Sequence, residues 1–406
     1  MLWHSARESG YLSAMSTAVK TNKKKTGRAA GDTGVQTSVS PAPTRTRNRP
    51  VDTRPTIRDV SALAGVSRMT VSRFLRSPEV VQEETRQIVA RAIDELGYVP
   101  DRAAGALSTR RSGFVGLIVP TITNTNFAQA ARGLTDMLRR DGFEVLIGYT
   151  DYDDAVFLRH VKAMLARRAE ALVLPSGPRP VSLQRLLNRE TIPLVEIAGL
   201  PTRPLDRVVG YSNRAAGRLA AEYLIGLGYT RIGAIGAAGE GTARDHRGGR
   251  RIDGFRDALL EAGLSDEWVL RQGDPPVSFT HGARTMGNLL DRAPGLEAVF
   301  AVSDLVGVGA MMECRRRGID IPRDLSLIGF GSFEIGREVV PSLTTVGVDY
   351  RAMGERAGRM LLDVLGGRGE TDRVVDVGMQ LVVRETTTAA RRPATTRDVT
   401  VAETAP

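Results

Sequence analysis

The stretch from Thr56 to Leu107 constrains this chain most, because its helix starts, its turn and its free side chains all describe one small unit. Thr56 stands three residues before Asp59, and Ser67 three before Thr70. A hydroxyl N-cap therefore precedes each of two short apolar-periodic segments and satisfies backbone N–H groups where a helix must begin. Gly65 between them takes positive φ readily, which lets the chain reverse within about 3–4 residues. Val60, Ala64, Val66, Val71, Phe74 and Leu75 recur at helical spacing and close a miniature core. A third helix over Gln82 to Leu96, with Ile88, Ala92, Ile93 and Leu96 inward, stops at Gly97. Arg68, Met69, Ser72, Arg73 and Arg76 are left on the open side of the second helix, with no acid among them. That face suits a duplex groove: the second helix of a helix-turn-helix lies in the major groove, and a guanidinium pairs bidentately with guanine. The plainer alternative is an amphipathic hairpin that packs on another part of the chain.

The 406 residues have room for two or three domains, and 42% hydrophobic residues suffice for a large core, which must be mainly aliphatic because aromatics are 5%. A formal charge of +10 invites a polyanion. Residues 1–54, however, hold ten Lys and Arg against three Asp and Glu, so most of the excess sits in the N-terminal tail and the body is near neutral. Residues 1–53 have no apolar period and read as a disordered basic tail in which Lys23, Lys24 and Lys25 can touch phosphates without specificity. The lone Cys314 excludes an internal disulfide and any multi-cysteine metal site, and His4, His160, His246 and His281 form no HExxH pair. Neither a metal nor a cofactor is expected. No apolar run nears the roughly 18 residues that span a bilayer, and no secretory signal is visible, so a cytoplasmic protein with no membrane partner is expected.

From Phe114 onward the pattern changes to short apolar runs alternating with helical segments. Phe114 to Val119, Val145 to Tyr149, Ala171 to Leu174, Leu194 to Ile197, Ile232 to Ile235, Ala298 to Ala301 and Leu325 to Phe330 read as strands. Ala128 to Arg140, Ala215 to Gly226, Gly254 to Ala262, Val306 to Arg317 and Ala352 to Leu365 read as helices between them. Such alternation predicts βαβ units and parallel sheets, and some 270 residues of it predict two lobes rather than one sheet. Ligands of such sheets bind beyond the carboxyl ends of the strands, and in two lobes those ends can face one cleft.

Catalytic signatures are missing. Gly233, Gly236, Gly239 and Gly241 do not have GxGxxG spacing, and neither a Walker GxxxxGK[ST] nor a GxSxG nucleophile turn occurs. Asp304 in Ala-Val-Ser-Asp is a lone acid after a strand, which more often binds a hydroxyl or caps a helix than catalyses. The chain offers groups for holding a ligand without a set for transforming it, so an enzyme is not expected.

Thr56 to Leu107, with "TIRDVSALAGVSRMTVSRFL" and then "VPDRAAGALS", resembles the DNA-binding module of the lactose-repressor family. Residues 112 to about 386 resemble that family's effector-binding core, which is similar to periplasmic sugar-binding proteins. "LGYVPDRAA", "AVSDLVGVGAM" and "PRDLSLIGFGSFE" follow in family order, and "SRMTVSRFLRSPE", "VPTITNTNFAQAARGL" and "GREVVPSLTTV" look closest to gluconate-utilisation repressors. The resemblance implies an N-terminal all-α helix-turn-helix domain at 54–100 and a hinge helix and linker at 101–111. Beyond them it implies a two-lobed α/β core with parallel sheets at 112–386, and a disordered tail at 387–406.

Carried over by residue, the resemblance implies that Arg68, Met69 and Arg73 read bases. Ser67, Thr70, Ser72 and Thr85 would hold phosphates and Tyr98 would brace the backbone, with Thr56, Arg76 and Arg102 also on the DNA side. Leu107 matches a leucine wedged into the central base step, where an apolar side chain unstacks and bends the duplex; its plainer role is a contact between paired hinge helices. This chain departs from the family at three positions in this region. Ser61 replaces a common alanine, Asp101 replaces a common asparagine and brings like charge near phosphate, and Gly105 costs the hinge helix about 1 kcal/mol of propensity. In the core, Arg251 of "RRIDGF" matches the family's ligand arginine, Asp304 a pocket acid and Phe127 a pocket-wall aromatic, with Glu196 a further candidate. Gly331 stands where sugar-binding members keep an aspartate; losing that carboxylate while keeping Arg251 favours an anionic ligand such as gluconate. For Arg251 the alternative is an interlobe salt bridge. The resemblance thus implies a homodimeric repressor on a pseudo-palindromic double-stranded operator, controlled by a sugar or sugar acid, with further pairing to a tetramer left open. The rival reading is a cytoplasmic sugar-acid sensor whose helical head contacts protein.

Overall fold

The computed structural model describes residues 54–100, 112–238, 245–368 and 372–390. The hinge reading, with Arg102 and Leu107, lies outside the described residues, as do the N-terminal tail and residues 391–406. The chain divides into one unit ending at Val99 and a second beginning at Pro100.

In the first unit, helices α1 (Ile57–Leu63), α2 (Arg68–Arg76) and α3 (Glu83–Leu96) start and stop where local chemistry dictates. Asp59 accepts from both the backbone N–H and the hydroxyl of Thr56, at 2.8 and 2.7 Å, and Ser67 Oγ accepts from the Thr70 N–H at 3.0 Å. Gly65 and Gly97 take φ of 63° and 59° after α1 and α3, the left-handed conformation that glycine adopts without strain. Val60, Ala64, Val71, Val89 and Ala92 form the core, with Val66, Phe74, Leu75, Ile93 and Leu96 packed around it. One expectation fails: Ile88 is 36% exposed and Val89 takes the inward place, because the buried stripe of α3 passes through 89, 92, 93 and 96.

The second unit holds two sheets of six strands. The first has the order β11-β5-β4-β3-β1-β2, built from β1 (Phe114–Val119), β2 (Glu144–Tyr149), β3 (Ala171–Pro175), β4 (Leu194–Ile197), β5 (Arg207–Gly210) and β11 (Val374–Asp376). The second has the order β12-β10-β9-β8-β6-β7, from β6 (Ile232–Gly236), β7 (Val269–Arg271), β8 (Ala298–Ala301), β9 (Ser326–Phe330), β10 (Thr344–Gly347) and β12 (Gln380–Val382). Every pairing is parallel except β10 with β12, so each lobe repeats the same doubly wound arrangement. The chain passes between lobes after β5, after β10 and between β11 and β12. Packing also continues past 386, where the sequence reading ends the core: Thr387 bonds Tyr223 and Thr344, Tyr229 donates to the Thr388 carbonyl and Ala390 N–H to that of Leu227.

Pairs of helices beside these sheets touch backbone to backbone through reciprocal glycines. Between α7 (Asn213–Gly226) and α8 (His246–Glu261), a Cβ on Gly217 would strike the carbonyl of Arg251, and one on Gly254 the carbonyl of Arg214. The same exchange joins α4 (Thr125–Arg139) to α12 (Tyr350–Leu365) at Gly133 and Gly354, and α9 (Phe279–Arg292) to α10 (Asp304–Arg316) at Gly282 and Gly309.

Asp304 opens α10, but it is not the cap; Ser303 accepts from the Leu305 N–H in that role. The fully buried Asp304 carboxylate accepts from Thr345 Oγ1 and from the Phe333 N–H, both at 2.7 Å, and so ties down the loop after β9. Burial raises its pKa from 3.8 to about 6, against the lowering effect of those two hydrogen bonds.

Two outcomes are expected. Gly217→Ala should destabilise the chain by about 1–3 kcal/mol in chemical unfolding, although alanine is the better helix former by about 1 kcal/mol; a more stable variant would mean that α7 and α8 have room between them. Between the unfolded and folded pKa values the folded state holds a proton on Asp304 that the unfolded chain has lost, so this group's contribution to stability falls as pH rises from about 4 to about 6. Relative to Asp304→Asn, the wild type should therefore lose about 3 kcal/mol over that window; a stability difference that does not change with pH would refute the assignment.

Candidate nucleic-acid interface and ligand cleft

Helix α2 buries Val71 and turns its other face outward. Arg68, Arg73 and Arg76 are exposed, and Met69 is 68% exposed, an uncommon state for a large apolar side chain. Arg68 and Arg73 join no ion pair among the described residues, while Arg76 Nε donates to the Ser72 carbonyl at 3.2 Å. Thr56 and Ser67 are exposed and Thr70, Ser72, Thr85 and Tyr98 half-buried, so hydroxyls flank the arginines. Exposed guanidinium groups beside hydroxyls and one apolar tip form a face that can donate to base edges and phosphate oxygens.

The second unit has a cleft between its lobes, at the carboxyl ends of the strands. One cavity of about 790 Å³ is lined by Ser176, Gly199 and Leu200 from the first lobe, by Asn213 at the start of α7, and by Arg247 and Arg250 of α8. Non-glycine residues held at positive φ gather at these strand ends: Asp151 and Tyr152 after β2, Ala198 after β4 and Ser332 after β9. Strained backbone of this kind collects where a binding surface must be shaped.

Two guanidinium groups stand at the cleft, Arg247 lining it and Arg251 buried beside it. Arg247 and Arg251 lie four residues apart on α8, hence on one face. The Arg247 guanidinium stands 5.5 Å from the Phe127 ring centre and 5.7 Å from that of Tyr152, so a second-lobe cation meets two first-lobe rings. Burial works against its charge, but Tyr152 and Asp245 nearby keep its pKa above the ordinary arginine value. Arg251 is buried 4.1 Å above the Phe330 ring and donates from Nη1 to Asn213 Oδ1 at 2.5 Å, while its buried Nε has no partner. Tyr211 and Tyr350, one beside each of the first two lobe crossings, close the group with hydroxyls 2.5 Å apart; burial raises both phenol pKa values, so both stay protonated. Asn126 Nδ2 donates across the lobes to the Gly331 carbonyl at 3.1 Å. A side chain on Gly331 would run into Phe333 and Asn126, which accounts for glycine there.

Of the four core candidates, Arg251 and Phe127 belong to this cluster. Asp304 lies behind it, with both oxygens occupied by Thr345 and Phe333. Glu196 is also occupied: its oxygens take Arg179 Nη1 and the Leu205 N–H, both at 2.8 Å, making a buried ion pair inside the first lobe. The sequence reading missed Arg247, Asn213, Tyr152, Tyr211 and Tyr350. Arg247 was discoverable, since it precedes Arg251 by one helical turn, but that reading began this helix eight residues late, at Gly254.

Residues 56–101 match the family described as "Bacterial regulatory proteins, lacI family", and residues 221–387 match "Periplasmic binding protein-like domain". The HTH-type transcriptional regulator GntR of Escherichia coli strain K12 is 31% identical over 81% of this chain and 97% of its own length. The GntR regulator of Pseudomonas aeruginosa is 34% identical over 82% and 96%. Among solved structures, a lacI-family transcriptional regulator from Silicibacter pomeroyi superimposes with a TM-score of 0.76 at 29% identity, over 82% of this chain and 99% of that one. With this head, this repeated α/β core and these relatives, the chain belongs to the lacI family of bacterial regulatory proteins, and it is a DNA-binding transcriptional regulator rather than an enzyme.

Proposed function

We propose that this chain is a cytoplasmic, homodimeric repressor that binds a pseudo-palindromic operator and whose operator affinity is set by a sugar acid such as gluconate. The observation that carries the DNA half is the face of α2, where Arg68 and Arg73 stand exposed beside Met69 and join no ion pair among the described residues. In this reading those three meet base edges, Ser67, Thr70, Ser72 and Thr85 hold phosphates, Tyr98 braces the backbone, and Thr56 and Arg76 lie at the margin. Arg102 and Leu107 join them from the hinge segment 101–111, between a head at 54–100 and a core that begins at 112.

The effector half rests on Arg247 and Arg251, two cations on one helix face inside an aromatic cleft. A carboxylate is their complementary ligand, and the Arg251 Nε supplies an unspent donor. Phe127 forms the wall, while Asp304 and Glu196 act from behind it by fixing loops. Relatives support a sugar-type ligand: one is named "Ribose operon repressor", and one solved structure is titled "transcriptional regulator CelR-cellobiose complex". A ligand that prefers one lobe arrangement shifts the population towards it and changes operator affinity by that difference alone. Leu146, Ile147 and Tyr149 are exposed on β2, an edge strand, and offer the apolar surface a second copy would cover.

Replacing Arg73 by alanine should cost about 1–3 kcal/mol and relax preference at one base position, read by binding to a randomised-site library and footprinting. A loss spread evenly over all sequences would make Arg73 a phosphate contact, and protection of an asymmetric site by a single copy would contradict the dimeric reading.

A further inference from the structure

The cleft carries more positive charge than one carboxylate can answer. Beyond Arg247, the 790 Å³ cavity is lined by Arg214, Arg250 and Arg271, which come from α7, α8 and the end of β7, against the two acids Asp245 and Asp253. Those acids are loosely engaged: Asp253 lies 3.9 Å from Arg271 and Asp245 3.9 Å from Arg247. Arg214 pairs with Asp257, while Arg250 has no ion-pair partner among the described residues. The Arg271 side chain reaches across Gly249, where its Nη2 would lie 3.0 Å from a Cβ if the residue had one. Gly249 thus leaves space at the cavity wall for a guanidinium.

These arginines form a second group at the rim, apart from the aromatic-packed Arg251. A ligand with a single negative charge, held at Arg247 and Arg251, would leave Arg250 at the rim with no ion-pair partner among the described residues, and Arg271 with only its 3.9 Å contact to Asp253. An anion placed between these two guanidinium groups would accept charge-assisted hydrogen bonds from both. The cavity is also larger than a six-carbon acid requires, and sits within the range that holds a drug-sized ligand.

We infer that the effector is a polyhydroxy acid bearing a second anionic group, with its carboxylate at Arg247 and Arg251 and the second group at Arg250 and Arg271. This rests on the anionic-effector reading above and adds the second charge to it. The shared chemistry is a chain of hydroxyls with an anion at each end, and the second anion is either a phosphate or another carboxylate.

Isothermal titration of the full chain with D-gluconate, 6-phosphogluconate, D-glucarate and D-glucose tests it. At least one of the two doubly charged probes should bind tenfold or more tighter than gluconate, and which one does so identifies the second group. That ratio should fall to within twofold in Arg250→Gln and Arg271→Gln, both of which lie at the rim and away from the buried core. Neither doubly charged probe binding tighter than gluconate would overturn the inference, as would a ratio that both variants leave intact. Glucose binding with all three acids silent would instead be the failure of the anionic reading itself.

Discussion

Helix α8 holds its arginines in place because Gly217 of α7 rests directly on the backbone carbonyl of Arg251. No other residue type permits that approach without displacing one helix, and the reciprocal contact of Gly254 with Arg214 fixes the pair a second time. With the backbones in contact, the Arg251 side chain has a single course: over Phe330, to Asn213 at the start of α7, and towards the tyrosines beside the lobe crossings. The position of the cleft's charge is therefore a consequence of helix packing.

A cation placed among rings is held more by the environment than by any one bond. Phe127, Tyr152, Phe330 and the Tyr211–Tyr350 pair supply ring faces and hydroxyl dipoles where water is largely excluded. The contacts run between lobes as well as within them, since Arg247 belongs to the second lobe and its rings to the first, and Asn126 reaches Gly331 across the same gap. A ligand that enters competes with these contacts and so has differential contacts to offer, which is the condition for shifting a two-state equilibrium. The head follows a different economy. Its core is five buried side chains, and Arg68, Met69 and Arg73 stand exposed on one short helix.

Much of the fold is legible in the sequence because its strands are aliphatic runs and the head's caps are local. Val115, Leu117, Ile118 and the buried residues of β3, β8 and β9 announce themselves, as do Thr56, Ser67 and Gly65. What escaped lacks a local signal. Strands β5, β7, β10, β11 and β12 are three or four residues long, and β10 reads Thr-Thr-Val-Gly; only pairing with a neighbour already in place makes them strands. Helix α8 contains Gly248, Gly249 and Gly254, each unfavourable to a helix by about 1 kcal/mol, so propensity places its start too late and hides the one-turn relation of Arg247 to Arg251. Tyr211 and Tyr350 are 139 residues apart, and Phe127 and Arg247 are also far apart in sequence; nothing short of the topology brings them together. Asp304 reads from sequence as a pocket acid and Glu196 as a further ligand candidate, but their engagement by Thr345 and Arg179 depends on residues whose elements carry no such mark.

In the proposed function, the charge that α8 sets between the lobes senses the effector and thereby sets operator affinity. Operator affinity of the full chain, measured at fixed ionic strength with and without saturating gluconate, tests it most directly when wild type and Arg251→Lys are compared, since lysine keeps the charge but loses the planar fork. Gluconate should change the wild-type operator Kd tenfold or more and that of the variant less than twofold, with ligand-free affinities alike. An equal response in both proteins would place the sensing elsewhere and contradict it.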